Sequence, residues 1–365
     1  MAADDTTTTK HRRPPRALAA TALLASLAGA CASPNVDAPP GSAAARSDTD
    51  MQRVLAALEK LGPQRIETLT PVEARRQPNA SHATQAVAQE SGLPTIPIDG
   101  VTSLDIGIPG PASELPARVY SPATGQAPFP VVVYYHGGGW VIADLKTYDA
   151  SARALAREAS AIVVSVHYRQ APEHKFPAAH QDAFAAYQWV VRNAAQLNGD
   201  PRRVAVAGES AGGNLAANVA IMARDRRVQA PVHQILVYPV AGTDMNTPSY
   251  VQNAAAKPLN KPMMEWFAGH ALRPEDKQSP MINLVAADLR NLPPATVITA
   301  EIDPLRSEGM LLAERLRAAG VEVTTRDYEG VTHEFFGMDA VVAEAKAAQG
   351  LAGQQLTRAF APRTQ

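Results

Sequence analysis

The stretch Val204-Ala-Val-Ala-Gly-Glu-Ser-Ala-Gly-Gly213 constrains the fold of this chain more than any other. An apolar run ends in Gly208-Glu-Ser-Ala-Gly212, which fits G-x-S-x-G, and Asn214 to Met222 follows as good helix material. A strand, one serine between two glycines, then a helix is the layout a nucleophile elbow requires. The turn is sharp and strains the serine backbone, and any Cβ at the flanking glycines would clash. Ser210 Oγ then stands above a sheet at the positive end of a helix.

The rest of the chain supplies that sheet. Phe129-Pro-Val-Val-Val-Tyr-Tyr135 is a near-continuous apolar run of the kind found in buried parallel strands. Further strand signals fall near Val101 and at Ala117 to Tyr120, Ala161 to His167, Gln234 to Tyr238, Ala295 to Ala300 and Val321 to Arg326. Helical patterns separate them, at about 150–159, 178–195, 304–319 and 340–361. Strands alternating with helices specify an α/β fold with a mainly parallel sheet and right-handed crossovers. The expectation is an eight-stranded sheet with helices on both faces, spanning residues 99–365.

Two segments do not belong to the sheet. Met51, Val54, Leu55, Leu58 and Leu61 line one helix face and stop at Gly62-Pro63. A second helix starts at Thr70-Pro71. Residues 51–98 therefore read as N-terminal cap helices. The stretch between the strands at 234–238 and 295–300 is too long for a plain crossover, so about 243–272 reads as a cap insertion.

Serine needs a base and an orienting acid to act as a nucleophile. In this fold the order along the chain is Ser, then Asp or Glu, then His. His233, His270 and His333 are the histidines that follow Ser210. His233 opens a strand and His270 sits in the expected cap, whereas His333 lies in a glycine-containing loop after the last strand. Asp303 leaves the tip of the preceding strand in Thr299-Ala-Glu-Ile-Asp-Pro-Leu305, and Pro304 is read as starting a helix at once. Glu301 should point away and Glu308 lies a turn along that helix. His136-Gly-Gly-Gly-Trp140 follows a strand directly and is an HGGG-type loop. Gly138, Gly139 and Ala211 are the candidate backbone N–H donors to an oxyanion. His136 reads as a structural support of the loop.

Together HGGGW, Tyr168-Arg-Gln-Ala-Pro-Glu-His-Lys-Phe-Pro177, GESAGG, Asp303-Pro-Leu-Arg and His333 resemble the bacterial hormone-sensitive-lipase-like (family IV) carboxylesterases over roughly residues 51–360. The resemblance implies an α/β-hydrolase core with a helical cap. It also implies hydrolysis of short- to medium-chain carboxylic esters through an acyl-enzyme on Ser210, without cofactor or metal. Glu209 departs from the aspartate most members carry. A non-catalytic binder on this fold would lack a member of the Ser–Asp–His set, and all three are present. An amidase or peptidase is permitted by the same residues, but nothing suggests a peptide subsite.

The N-terminus is a different kind of sequence. Lys10, His11, Arg12, Arg13 and Arg16 form a positive region before the small-and-leucine run Ala17–Ala30. At that length the run is a signal-peptide core, since a membrane span needs about 20 apolar residues. Leu27-Ala-Gly-Ala-Cys31 resembles a lipobox, with Ala28 where such boxes usually carry leucine, and Cys31 is the single cysteine. Residues 1–30 are thus read as a signal peptide, Cys31 as a lipidation site that tethers the protein to a membrane, and 31–50 as a disordered tether. Ordinary cleavage with an incidental cysteine is the alternative. Periplasmic or membrane-anchored location is expected, secretion being the second choice. That export is unusual for a family often found in the cytoplasm. A net charge of −1 gives no reason to expect nucleic acid. The partner expected is a small ester, and the oligomeric state stays open, a dimer included.

Overall fold

Apolar runs without alternation become strands covered on both faces: β3 (Phe129–Tyr135), β4 (Ile162–Val166), β5 (Gly199–Glu209) and β6 (Gln234–Val237). With β1 (Val101–Pro109), β2 (Glu114–Pro122), β7 (Ala295–Ile302) and β8 (Val323–Thr332) they form one sheet in the order β1-β2-β4-β3-β5-β6-β7-β8. β2 pairs antiparallel with both β1 and β4, and every other pairing is parallel. This is a computed structural model, and it describes residues 46–94 and 100–361. The expected signal peptide, Cys31, most of the expected tether and the cap boundary near 98 lie outside the described residues.

Period-2 alternation decides which helix covers which face. Val131, Val133 and Tyr135 pack on one side with α5 (Ala178–Asn193), α6 (Ala211–Asp225) and α9 (Arg306–Ala318). Val132 and Tyr134 pack on the other with α4 (Asp149–Glu158) and α10 (Ala343–Phe360). Small residues on α6 let it lie close to the sheet: Ala216, Ala217 and Ala220 are buried there. The fold is an α/β hydrolase with an eight-stranded, mostly parallel sheet.

The segments expected to form the cap hold α1 (Thr49–Leu61), α2 (Pro71–Ala74), α3 (Ala80–Glu90), α7 (Pro248–Gln252) and α8 (Lys261–Ala271). Met51, Val54 and Leu58 bury the apolar face of α1, with Ala80, Ala83 and Val87 of α3 in the same cluster. Before β1 the chain makes two α-helical segments after α1, where the sequence reading had one. Pro78 lacks the N–H a continuing helix needs, and Asn79 restarts the helix with a capping box to His82. Trp266 Nε1 of α8 donates to Leu69 O at 3.1 Å, joining the two parts of the cap.

Several boundaries differ from expectation. Residues 46–50, read as the end of a tether, are engaged with the fold: Arg46 Nη1 pairs with Glu301 at 3.1 Å, Arg46 Nη2 donates to Asn253 Oδ1, and α1 begins at Thr49. Composition hid this, because Ala- and Ser-rich sequence masks one anchoring arginine. β8 continues to Thr332 rather than stopping at Arg326, with Gly330 at φ 70 allowing the strand to bend past a polar stretch. His333 therefore follows the strand immediately. Among the described residues, no helix is long and apolar enough to cross a membrane.

Candidate active site

Ser210 sits between β5 and α6 with φ 56 and ψ −118, a conformation a serine adopts only when the surroundings impose it. The imposition is visible. Its N–H donates to Val237 O at 2.9 Å, and its carbonyl accepts from Asn214 and Val240, both at 3.1 Å. A Cβ on Gly212 would collide with the Tyr135 carbonyl, and one on Gly208 with the Gly212 carbonyl. The two glycines thus let α6 start tight against β3 and β5, as the G-x-S-x-G spacing requires.

His333 reaches the same place from the end of β8. Its Nδ1 donates to Asp303 Oδ2 at 2.6 Å, and both residues are buried. The helix after Asp303 begins at Arg306 rather than at Pro304, leaving a turn in which Leu305 N donates to Asp303 Oδ1 at 2.8 Å. With Asn253 Nδ2 on the Asp303 carbonyl at 3.1 Å, the acid is fixed at both ends. Glu301 points away to Arg46, and Glu308 is taken up by Ala241 N at 2.8 Å. Burial works against a charged imidazole at His333, but Asp303, with Glu334 and Glu209 behind it, outweighs burial and raises its pKa above the usual value. Ser210 and His333 line one cavity of about 810 Å³. Among the described residues no hydrogen bond joins Ser210 Oγ to the imidazole.

Gly138 and Gly139 line that cavity too, at φ 94 and φ 59. Their orientation follows from the far side of each peptide, since a trans peptide points its N–H opposite its C=O. Tyr168 OH donates to Gly137 O at 3.2 Å, which directs the Gly138 N–H the other way. Val141 N and Ile142 N both donate to Gly138 O at 3.0 Å, which directs the Gly139 N–H. Among the described residues no acceptor meets the N–H of Gly138, Gly139 or Ala211. His136 has the structural place expected of it. Its ring stacks on Tyr168 at 4.5 Å and bonds Gly137 O at 2.8 Å, and burial pushes its pKa down to about 3, so it stays neutral.

Two acids beside the histidine were not assigned roles from sequence. Glu209 is buried, accepting from Tyr134 OH at 2.5 Å and from Tyr238 OH, and burial pushes it up to about 7. The Tyr238 ring lies against His333, tilted by 47° with ring centroids 4.4 Å apart. Glu334, at φ 71, accepts from Tyr148 OH at 2.7 Å and stands 4.0 Å from His333 Nε2, with its pKa raised by burial. A tyrosine inside a buried apolar strand needs a partner for its hydroxyl. Tyr134 in β3 was that signal, and Glu209 on the neighbouring strand was its answer. From the expected cap segments, Leu58, Leu259, Met263, Met264 and Phe267 line the cavity.

Known proteins resemble this chain in sequence and in fold. A family model for the alpha/beta hydrolase fold matches residues 132–337. The carboxylesterase NlhH of Mycobacterium tuberculosis is 44% identical over 253 residues, covering 68% of this chain and 79% of that protein. A solved esterase of Pyrobaculum calidifontis superposes with a TM-score of 0.74 at 39% identity, over 83% of this chain and 97% of its own. A thermostable esterase of Pseudomonas putida gives 0.79 at 34% identity, over 87% and 99%. Likeness at this level of identity, sustained over two thirds of the chain, is common descent and not shared shape alone: the chain belongs to the hormone-sensitive-lipase-like family of α/β hydrolases.

Proposed function

We propose that this protein is a serine carboxylesterase that cleaves short- to medium-chain esters through an acyl-enzyme on Ser210. His333 Nε2 takes the Ser210 proton as Oγ adds to the ester carbonyl. The Nδ1–H bond to Asp303 holds the reactive tautomer and stabilises the imidazolium. The N–H groups of Gly138, Gly139 and Ala211 receive the negative oxygen. His333 then gives its proton to the departing alkoxide, and the acyl group stays on Oγ. Water, deprotonated by the same imidazole, adds to the acyl carbon; the acyl–Oγ bond then breaks, His333 returns the proton to Ser210 Oγ, and the acid leaves.

One observation carries this reading: a strained serine and the His333–Asp303 pair share a cavity with backbone N–H groups that have no protein acceptor among the described residues. The names borne by its relatives, carboxylesterase and esterase, support the ester class. A cavity of about 810 Å³ lined by aliphatic and aromatic cap residues suits an acyl chain of modest length. Ser210→Ala is expected to remove hydrolysis of nitrophenyl butyrate and labelling by a fluorophosphonate, with thermal unfolding retained. Undiminished turnover in a folded Ser210→Ala protein would refute the assignment.

For location, residues 10–31 support export and lipidation of Cys31, giving a membrane-tethered or periplasmic enzyme. Mass spectrometry of the mature N-terminus tests it. A diacylglyceryl Cys31 is expected, and an intact Met1 would refute export.

A further inference from the structure

Arg75 joins the cap to the oxyanion loop through contacts that the proposed mechanism has not used. It lies just after α2, and its Nε donates to Val141 O at 2.8 Å. Its Nη2 donates to Ala171 O at 2.8 Å, and its Nη1 and Nη2 grip Glu173 at 2.8 and 2.7 Å. The Val141 carbonyl belongs to the peptide whose N–H is that of Ile142. That N–H donates to Gly138 O at 3.0 Å. The Gly138 carbonyl in turn belongs to the peptide whose N–H is that of Gly139, which faces the cavity. The path is unbroken: guanidinium, Val141–Ile142 peptide, Gly138–Gly139 peptide, substrate oxygen.

We propose that Arg75 is a positioning residue for the oxyanion donor at Gly139, acting through these two hydrogen-bonded peptides. Two physical effects follow. The guanidinium fixes the tilt of the Val141–Ile142 peptide, and through it the direction of the Gly139 N–H. A cation at the head of a hydrogen-bonded chain also polarises each peptide toward its carbonyl, making the last N–H a stronger donor. The second effect matters only when charge develops on the substrate oxygen, so it acts on the transition state more than on bound substrate. Docking of the N-terminal cap and competence of the oxyanion site are thereby one event.

This inference rests on the reading of Gly139 as an oxyanion donor, and the test separates the two. Arg75→Met and Arg75→Lys are compared with Glu173→Gln, which removes the exposed ion pair but keeps the bond to Val141. The readouts are kcat, KM and the affinity of an aryl trifluoromethyl ketone, which adds Ser210 Oγ to form a tetrahedral oxyanion. Complete loss of one oxyanion donor lowers kcat by roughly 10²–10³, and misdirecting one should lower it by roughly tenfold. Arg75→Met is expected to lower kcat and ketone affinity together by that factor, with KM within about twofold. Arg75→Lys, which keeps charge but not the fork, should fall between. Glu173→Gln should change kcat less than about threefold, and ethylguanidinium should restore part of the lost kcat in Arg75→Ala. A raised KM with unchanged kcat, or an equal kcat loss in Glu173→Gln, would overturn the proposal in favour of simple cap docking. A wild-type protein that fails to bind the ketone would overturn the serine–oxyanion reading itself. Should Arg75→Met not fold, Arg75→Lys and Glu173→Gln still decide between the two.

Discussion

Replacing Glu209 by glutamine tests the electrostatic account of the site most directly. Glu209 is buried between two tyrosine hydroxyls, and burial moves its pKa from 4.5 to about 7. The unfolded chain releases that proton near pH 4.5, whereas the folded protein holds it until about pH 7. Between those values the native state binds more protons than the unfolded state, so stability falls as pH rises. Each pH unit is worth about 1.36 kcal/mol, giving a loss of roughly 3 kcal/mol across the window. Glutamine has the same shape, can bond both tyrosines and does not titrate. The variant is therefore expected to match wild type near pH 4.5 and to exceed it by roughly 3 kcal/mol at pH 8. Glu308, pushed up to about 8 by burial, and Glu334, also raised, titrate in both proteins. They cancel in the difference except for the repulsion between Glu334 and Glu209. Urea unfolding at the two pH values, followed by tryptophan fluorescence, measures that difference. A gap that stays constant within about 1 kcal/mol, or one that narrows as pH rises, would show that Glu209 is not held protonated by burial.

The raised pKa of His333 sets the activity profile in the opposite sense, because the base must be neutral to take a proton. kcat/KM should rise with pH through an apparent pKa above 6.5; Asp303→Asn should move that limb down and lower kcat on the order of 10⁴-fold. A limb at or below 6.5 in the wild type would contradict the pairing. Gly139→Ala places a Cβ against the Phe267 ring at φ 59, adding about 1–2 kcal/mol of backbone strain to the clash. Loss of kcat is expected, with partial recovery in the Gly139→Ala, Phe267→Ala double variant; no recovery would place the whole defect in the backbone.

What the sequence made legible was local. G-x-S-x-G and HGGG are short because each glycine answers a clash or a positive φ within a few residues, as Gly212 does against the Tyr135 carbonyl. Asp303 and His333 could be named because the fold fixes their order, each at the tip of a strand. Elements set by distant partners were not legible. Nothing near Arg46 signals a pairing with Glu301, and nothing near Arg75 signals Val141 or Glu173. The neighbours of Glu209 come from β3 and from the end of β6, so its setting depends on strand order that a single motif does not encode. The break at Pro78 was open to reading, since proline and a following asparagine mark a helix restart.

Both cap segments converge on one glycine, and that convergence constrains how specificity can change. α8 lays Phe267 over Gly139, while Arg75, from the N-terminal cap, holds the peptide chain that aims the Gly139 N–H. Trp266 ties the two segments to each other at Leu69. A residue that shapes the acyl cavity is therefore one or two contacts from a group proposed to stabilise the reaction's negative oxygen. Changes to the cap that enlarge the cavity without disturbing Phe267 or Arg75, at Met263 or Leu259 for instance, should alter substrate preference alone. Changes that reach either of those residues should alter kcat for every ester, because they act on a bond made in the transition state whatever acyl chain is attached.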